Sequence, residues 1–148
     1  MKTKIIKNLL LSLGLVFVLG STITQVHGQT VPPGQQLLVA TIHSSGDVNR
    51  GKTGSFVVDM RQPTSQGYLP YYPYINFSVS GTAIPGVDYV AIVSPAQVGP
   101  EGYGVILIKT LPNPRGFDTH SYSVVITLKS GLGYALGQPM TAKMLIKP

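Results

Sequence analysis

The sequence predicts an all-β domain, and three observations point to it. Short apolar runs rich in Val, Ile, Leu, Phe and Tyr alternate with polar residues at a period of two, which is typical of strands with one face on a core. All 12 Pro and 14 of the 17 Gly lie after residue 28, between these runs, where they indicate turns. No window of about 11 residues carries the apolar stripe of a capped helix. Short strands separated by such turns favour a sandwich.

The clearest strand pattern lies at residues 56–60. Phe56, Val58 and Met60 point to one side, and the residues between them point to the other. Val124, Ile126 and Leu128 repeat this alternation. The seven predicted strands are Gln36–Ile42, Ser55–Arg61, Tyr74–Val79, Tyr89–Val93, Gly104–Lys109, Tyr122–Leu128 and Thr141–Ile146.

The first 28 residues have the three parts of a secretory signal peptide. Three lysines precede an apolar run at 9–19, and Val26-His27-Gly28 then suits a signal peptidase. The run is shorter than the roughly 18 residues needed to cross a bilayer. We therefore expect cleavage after Gly28, a flexible lead at 29–35 and one domain at 36–148. The mature product is predicted to be secreted or periplasmic, with no membrane span.

Composition excludes several kinds of site. The chain has no Cys, which excludes disulfides, zinc–thiolate centres and cysteine nucleophiles. Removal of the signal leaves eight Lys and Arg against five Asp and Glu, a net charge of +3. Because these bases are scattered, nucleic-acid binding is not predicted. Neither a nucleotide fingerprint nor a carboxylate pair stands out, so we predict no cofactor and no catalytic residues. A small secreted chain without Cys fits a bacterial envelope or exterior.

The segment GTAIPGVDY, from Gly81 to Tyr89, is the most distinctive stretch. Pro85 followed by Gly86 suits the centre of a type II turn, because Pro fixes φ and Gly tolerates a positive φ. We expect Asp88 to accept hydrogen bonds from backbone N–H groups and the ring of Tyr89 to point inward. The predicted structural turn motif comprises Gly81, Thr82, Ala83, Gly86, Asp88 and Tyr89.

The segment FSVSGTAIPGVDYVAI, at 77–92, resembles the signature of Calx-beta domains, which is close to Y-x-T-x-x-G-T-A-x-x-G-x-D-Y. Weaker similarity extends over 54–60, 98–111 and 121–146. The resemblance implies a seven-stranded, immunoglobulin-like β-sandwich. It also implies a role as a calcium sensor or as an adhesive and interaction module.

Most of the family's calcium ligands are missing. The resemblance places Asp88 at the retained Asp of the signature and Arg50 nearest to a family Glu. Before the sixth strand only Asp118 remains of an acidic cluster, and Tyr122 falls near its last Glu. Ca²⁺ needs six to eight oxygen ligands. We therefore predict no metal site, with Asp88 as the residual family position. Arg50, Arg115 and Lys147 would repel a cation at this end.

The main candidate for partner binding is YLPYYPY, at 68–74. A Tyr ring offers a rigid apolar face and a polar tip, which suits protein interfaces and sugar stacking. The alternative is that this loop closes over the core and buries its rings. The function predicted is a non-catalytic interaction or adhesion module that binds a protein or glycan partner through loops or a sheet edge. The predicted contacts are Tyr68, Tyr71, Tyr72 and Tyr74, with Arg50, Arg115 and Lys147 as an anion-favouring rim.

Two other functions remain open from the sequence. A small secreted hydrolase would use Asp118, His120 and a serine, in a cleft shared with His43 or Asp88. Ser121 is the nearest serine, but near-neighbours in one loop rarely form a triad. A structural envelope component would join a larger assembly through unpaired edge strands.

Overall fold

The computed structural model describes residues 24–26, 29–31, 37–60, 73–112 and 115–148. These residues form strands, turns and loops without a helix. The described part therefore contains no helical membrane span. The twelve strands of the described residues are β1 (Thr24–Val26), β2 (Gln29–Val31), β3 (Leu38–Ser44), β4 (Val48–Asn49), β5 (Thr53–Asp59), β6 (Tyr74–Ile75), β7 (Phe77–Ser80), β8 (Ala96–Gln97), β9 (Tyr103–Lys109), β10 (Tyr122–Leu128), β11 (Tyr134–Leu136) and β12 (Thr141–Lys147).

The strands form two four-stranded sheets, which confirms the all-β prediction. Sheet I has the order β4-β12-β10-β7, and sheet II has the order β11-β3-β5-β9. Most neighbours are antiparallel, while β4 runs parallel to β12 and β11 runs parallel to β3. Two short ribbons, β1-β2 and β6-β8, complete the described part.

The core lies between the sheets and follows the alternation that the sequence shows. Phe56 and Val58 of β5 are fully buried, as is Met60 just beyond it. On sheet I, the apolar residues of β10 that were predicted to point inward are buried as well. These residues belong to one hydrophobic cluster, whose burial is the main favourable contribution to folding.

The predicted strand at Tyr89–Val93 is wrong. Tyr89 makes only isolated bridges. The Val90 N–H donates to the Lys109 carbonyl, at the end of β9, at 2.9 Å. Val90 is 44% exposed and Val93 is 84% exposed, so neither valine points into the core. Pro95, which lacks an N–H for a ladder, precedes the next strand, β8.

Other differences concern short strands. The predicted strand Tyr74–Val79 is divided at Asn76, because β6 pairs with β8 whereas β7 pairs with β10. Strands β4, β8 and β11 were not predicted, since alternation cannot be recognised in two or three residues. The described residues therefore contain more strands than the seven predicted.

Two N-terminal predictions stay untested. Residues 1–23 and 27–28, most of the predicted signal peptide, lie outside the described residues. So do residues 32–36. Part of the predicted flexible lead, Gln29–Val31, forms an antiparallel ribbon with Thr24–Val26. Cleavage after Gly28 remains a prediction.

The turn motif at 81–89 has the predicted geometry. Gly86 has a φ of +81°, and the Val87 N–H donates to the Ile84 carbonyl at 3.1 Å, as in a type II turn around Pro85 and Gly86. Tyr89 is buried, as expected.

The start of the motif is fastened to β10 at Ser123. The Ala83 N–H donates to the Ser123 carbonyl at 2.9 Å, and the Thr82 N–H donates to the Ser123 hydroxyl at 3.1 Å. In return, the Ser123 N–H donates to the Thr82 hydroxyl at 2.9 Å. Gly81 has a φ of +118°, and a Cβ there would lie 2.2 Å from the Ser123 carbonyl oxygen.

A matched pair of substitutions tests this fastening. Gly81→Ala adds both a disfavoured φ and a backbone clash, so it should lower the free energy of unfolding by about 2–4 kcal/mol. Gly86→Ala, also at positive φ but with open space around its Cβ, should lose only about 1 kcal/mol. Urea denaturation measures both losses. Equal losses would contradict the close approach to Ser123.

Candidate functional site

The centre of the candidate site is Asp88, whose carboxylate is 0% exposed. Its Oδ2 accepts the Ile84 N–H at 2.8 Å and Arg115 Nη2–H at 2.7 Å. Its Oδ1 accepts Arg115 Nε–H at 2.8 Å and Arg50 Nη1–H at 3.2 Å. Four donors therefore surround one buried carboxylate. This arrangement compensates the loss of water around the charge.

The two arginines come from different loops. Arg50 follows β4, and its backbone N–H donates to the Lys147 carbonyl at 2.9 Å. Its side chain is 5% exposed, whereas that of Arg115 is 25% exposed. Arg115 binds Asp88 through two parallel N–H···O bonds, the strongest geometry for such a pair.

Tyr122, the first residue of β10, joins both arginines to a second acid. Its ring centroid lies 4.1 Å from Arg115 Cζ and 5.4 Å from Arg50 Cζ, which allows cation–π attraction to both. The Tyr122 hydroxyl donates to Asp118 Oδ2. Asp118 Oδ1 also accepts the His120 N–H at 2.9 Å and lies 2.6 Å from His120 Nδ1.

These contacts perturb the titration of the cluster. Hydrogen bonds from Arg115 lower the pKa of Asp88 to about 2, although burial acts in the opposite direction. The same bonding raises the pKa of Arg115. The hydrogen bond from Tyr122 and those from His120 lower the pKa of Asp118 below its usual range, and the bond to Asp118 raises the pKa of Tyr122. Asp88 and Asp118 are thus held ionised at neutral pH.

The cluster does not fit a calcium ion. Both oxygens of Asp88, the residual family position, already accept hydrogen bonds from two guanidinium groups and a backbone amide. Within the described ranges, no three His, Asp or Glu side chains are grouped so that they could hold a metal ion. A cation at Asp88 would also stand beside two positive charges, with no surplus carboxylate oxygens to offset them.

Lys147, the third predicted cation of the rim, has its own partner. Its Nζ lies 2.9 Å from Asp47 Oδ2, and both side chains are partly exposed. The Leu145 N–H donates to Asp47 Oδ1 at 3.0 Å. The hydrogen bond from Lys147, with that from Leu145, lowers the pKa of Asp47. All three predicted basic residues are therefore paired with acids, and their contact with a partner remains a prediction.

The tyrosine segment can be located only at its end. Tyr68, Tyr71 and Tyr72 lie outside the described residues. Tyr74 is 59% exposed on β6, so this ring does not form a lid on the core. Binding by the segment stays a prediction.

The residues proposed for a hydrolase are not arranged as a triad in the described part. Asp118 contacts His120, but its other carboxylate oxygen accepts the Tyr122 hydroxyl rather than orienting a nucleophile. His120 is exposed, Ser121 is exposed, and His43 is exposed on β3. The described side-chain contacts of Asp118 and His120 reach no serine hydroxyl.

Comparison with solved structures identifies the fold. The chain is similar to the crystal structure of the calcium-binding domain CBD12 of CALX1.1, with 18% identity and a TM-score of 0.53. It is also similar to CBD12 from CALX1.2, with 18% identity and a TM-score of 0.54. Each comparison covers 72% of this chain and 43% of the solved chain. The match therefore spans less than half the length of each of the two solved chains. No protein-family model matches the sequence, and no curated protein does.

The likeness supports the Calx-beta-like sandwich that the turn motif predicted. At 18% identity it shows the fold and not the residues of a site. The ion-pair network at Asp88 was not predicted from the sequence, because Arg50 and Arg115 lie 38 and 27 residues away from Asp88 along the chain. Only the resemblance, which placed Arg50 and Asp88 at the same end, signalled it.

The network makes a prediction for Asp88→Asn. An amide leaves two largely buried guanidinium groups without a counter-charge, so the free energy of unfolding at pH 7 should fall by about 3–5 kcal/mol. Asp47→Asn, in a partly exposed and solvent-screened pair, should lose much less. Urea denaturation of both variants measures the difference. Similar small losses would show that the buried network adds little stability.

Acid should weaken the network in a defined range. The pKa of Asp88 is about 2 when folded, against 3.8 for an unperturbed aspartate side chain, so its contribution is complete above pH 4–5 and is lost as the pH falls towards 2. The contribution is about 2 kcal/mol. Because Asp47 and Asp118 titrate in the same direction, the informative quantity is the stability difference between the wild type and Asp88→Asn. The stability difference between the two proteins should narrow by about 2 kcal/mol between pH 5 and pH 2. A difference that stays constant with pH would contradict the lowered pKa of Asp88.

Proposed function

We propose that this chain is a secreted or periplasmic, non-catalytic interaction module. It binds a protein or glycan partner through its loops or a sheet edge, without a calcium ion. The observation that carries the proposal is the saturation of Asp88 by Arg50 and Arg115. The end of the sandwich that resembles a calcium site is stabilised by the chain's own cations.

Electrostatics explains why calcium binding is not proposed. A divalent ion at Asp88 must displace two guanidinium groups or lie beside them. Repulsion between unit charges 4 Å apart amounts to about 4 kcal/mol at an effective dielectric constant of 20, and Ca²⁺ carries two charges. The solved CALX domains are calcium-binding domains, and this chain keeps their fold with a different source of positive charge.

The scaffold suits binding by preformed contacts. Hydrogen bonds hold the turn motif to β10, and the Asp88 network holds the loops around Arg50 and Arg115. Loops fixed in this way lose less conformational entropy when a partner binds. Several apolar side chains of the described residues stay exposed and available for contact, among them Tyr74, Val93, Leu107 and Phe117.

A structural envelope component is the second candidate. The outer face of β9, an edge strand of sheet II, presents Tyr103, Val105 and Leu107 to solvent. An apolar stripe on an edge strand favours assembly with other chains. Concentration-dependent assembly in analytical ultracentrifugation, abolished by Leu107→Lys, would favour this candidate over a monomeric binding module.

Calorimetric titration with CaCl₂ tests the calcium part of the proposal. We expect no saturable heat through the micromolar range, since Asp88 offers no free carboxylate oxygen. Asp88→Asn provides the control, because heat that persists in this variant does not arise at Asp88. Micromolar binding that disappears in Asp88→Asn would overturn this part of the proposal.

Partner capture tests the binding part. The purified protein is presented to envelope extracts, host extracts and a glycan array, and each captured partner is identified and its affinity measured. Tyr71→Ala with Tyr72→Ala should weaken capture while the melting temperature stays within a few degrees. Loss of folding would instead assign these rings to the core. Silence on every probe, together with activity on a hydrolase panel, would overturn the proposal in favour of an enzyme.

A further inference from the structure

One buried group in the cluster lacks hydrogen-bond acceptors. Arg50 donates through Nη1 to Asp88, but its Nε and Nη2 are buried and have no hydrogen-bond partner. Buried polar atoms nearly always have partners, and unsatisfied donors on a charged group are especially unfavourable. Asp88 cannot supply the missing acceptor, because Arg115 and the Ile84 amide already occupy it.

The unpartnered atoms have a specific geometry. The N–H groups of Nε and Nη2 point in the same direction and form the fork that binds a carboxylate with two parallel bonds. Arg115 uses these same two atoms on Asp88, at 2.8 and 2.7 Å. The corresponding fork of Arg50 therefore matches a second carboxylate.

A cavity of about 320 Å³ lies beside Arg50, and its other lining residues are Gly116, Phe117, Asp118, Thr119 and Pro148. Phe117 is fully exposed, so its ring is not buried by the described residues of its own chain. The volume falls within the range of ligand pockets and accommodates an amino-acid side chain. Because the Arg50 side chain is only 5% exposed, a ligand group must enter the cavity to reach it.

The charges at the cavity do not oppose an anion. Asp118 is the acid in its wall, and its oxygens accept hydrogen bonds from the Tyr122 hydroxyl and the His120 N–H, with His120 Nδ1 at 2.6 Å. Arg50 and Arg115 balance the charges of Asp88 and Asp118, so the cluster presents no net negative charge to an anion. The Nε and Nη2 atoms of Arg50 have no hydrogen-bond partner within the part of the chain that the structure describes.

We propose that this cavity binds a carboxylate of a partner protein, from an acidic side chain or a chain terminus, with an apolar side chain packed on Phe117. The inference rests on the proposed binding function and names the chemistry of its contact. A carboxylate satisfies Nε and Nη2 of Arg50, and an adjacent apolar group covers the exposed ring. A sugar acid would supply the same carboxylate without the apolar group.

NMR titration of the full chain tests the proposal with matched probes. N-acetyl-leucine carries a carboxylate and an apolar side chain, and N-acetyl-leucinamide differs by lacking the charge. Glucuronate represents the sugar source, and inorganic phosphate represents a plain anion. We expect N-acetyl-leucine to shift the Arg50 Nε–H signal saturably, and to bind more tightly than glucuronate and phosphate. No response to N-acetyl-leucine, or an equal response to its amide, overturns the proposal; tighter glucuronate binding overturns the peptide source.

Variants locate the binding. Arg50→Lys keeps the charge but removes the fork, so it should weaken N-acetyl-leucine binding about tenfold. Phe117→Ala should weaken it about threefold, and this exposed position leaves folding intact even if Arg50→Lys does not fold. Lys129→Ala, at an exposed residue outside the cavity, is the control and should change nothing. Unchanged affinity in Phe117→Ala and in folded Arg50→Lys overturns the site.

The same variants separate this inference from the proposed function. A captured protein partner whose affinity is insensitive to Arg50→Lys and Phe117→Ala overturns the carboxylate site but leaves the interaction module intact. Failure to capture any partner, together with hydrolase activity, overturns the proposed function itself.

Discussion

The ion-pair network at Asp88 is the constraint on which the end of this sandwich depends. One buried carboxylate connects the loop after β4, the turn motif at 81–89 and the loop that carries Arg115. A charge in this position is tolerated only because four donors surround it. Tyr122 extends the network to Asp118 and so fixes the start of β10 against the same loops. Three segments far apart in sequence are therefore positioned by one group.

The network compensates the buried charge of Asp88 with cations that belong to the chain itself. Hydrogen bonds from Arg50 and Arg115 to Asp88 connect these loops as part of the folded chain. Arginine also carries more donors than Asp88 can accept, and Arg50 retains two buried N–H groups. Arg50, which lines the cavity, therefore keeps an unsatisfied donor pair.

Much of the fold could be predicted because it is encoded locally. Phe56 and Val58 are buried on one side of their strand while Val57 lies on the other, and the Pro85-Gly86 pair permits few turn conformations. The failures also have physical reasons. Val90 and Val93 are β-branched residues typical of a strand, but both side chains are exposed and this segment forms no strand. Strands such as β11 are too short for a period to be visible, and they form because Leu38–Ala40 offer a free ladder edge. In both cases the presence of a neighbouring strand, and not the segment's own sequence, decides whether a strand forms.

The sequence by itself determined the all-β class, the inward residues of the long strands and the turn at 81–89, because side-chain periodicity and the backbone limits of Pro and Gly act between near neighbours. It also indicated, through the resemblance, that Arg50 and Asp88 share one end. Only the tertiary structure decided which charges pair, which guanidinium atoms stay unsatisfied and that Phe117 borders their cavity. Ion pairing depends on distances of a few ångströms between segments tens of residues apart, and those distances exist only after the two sheets have packed.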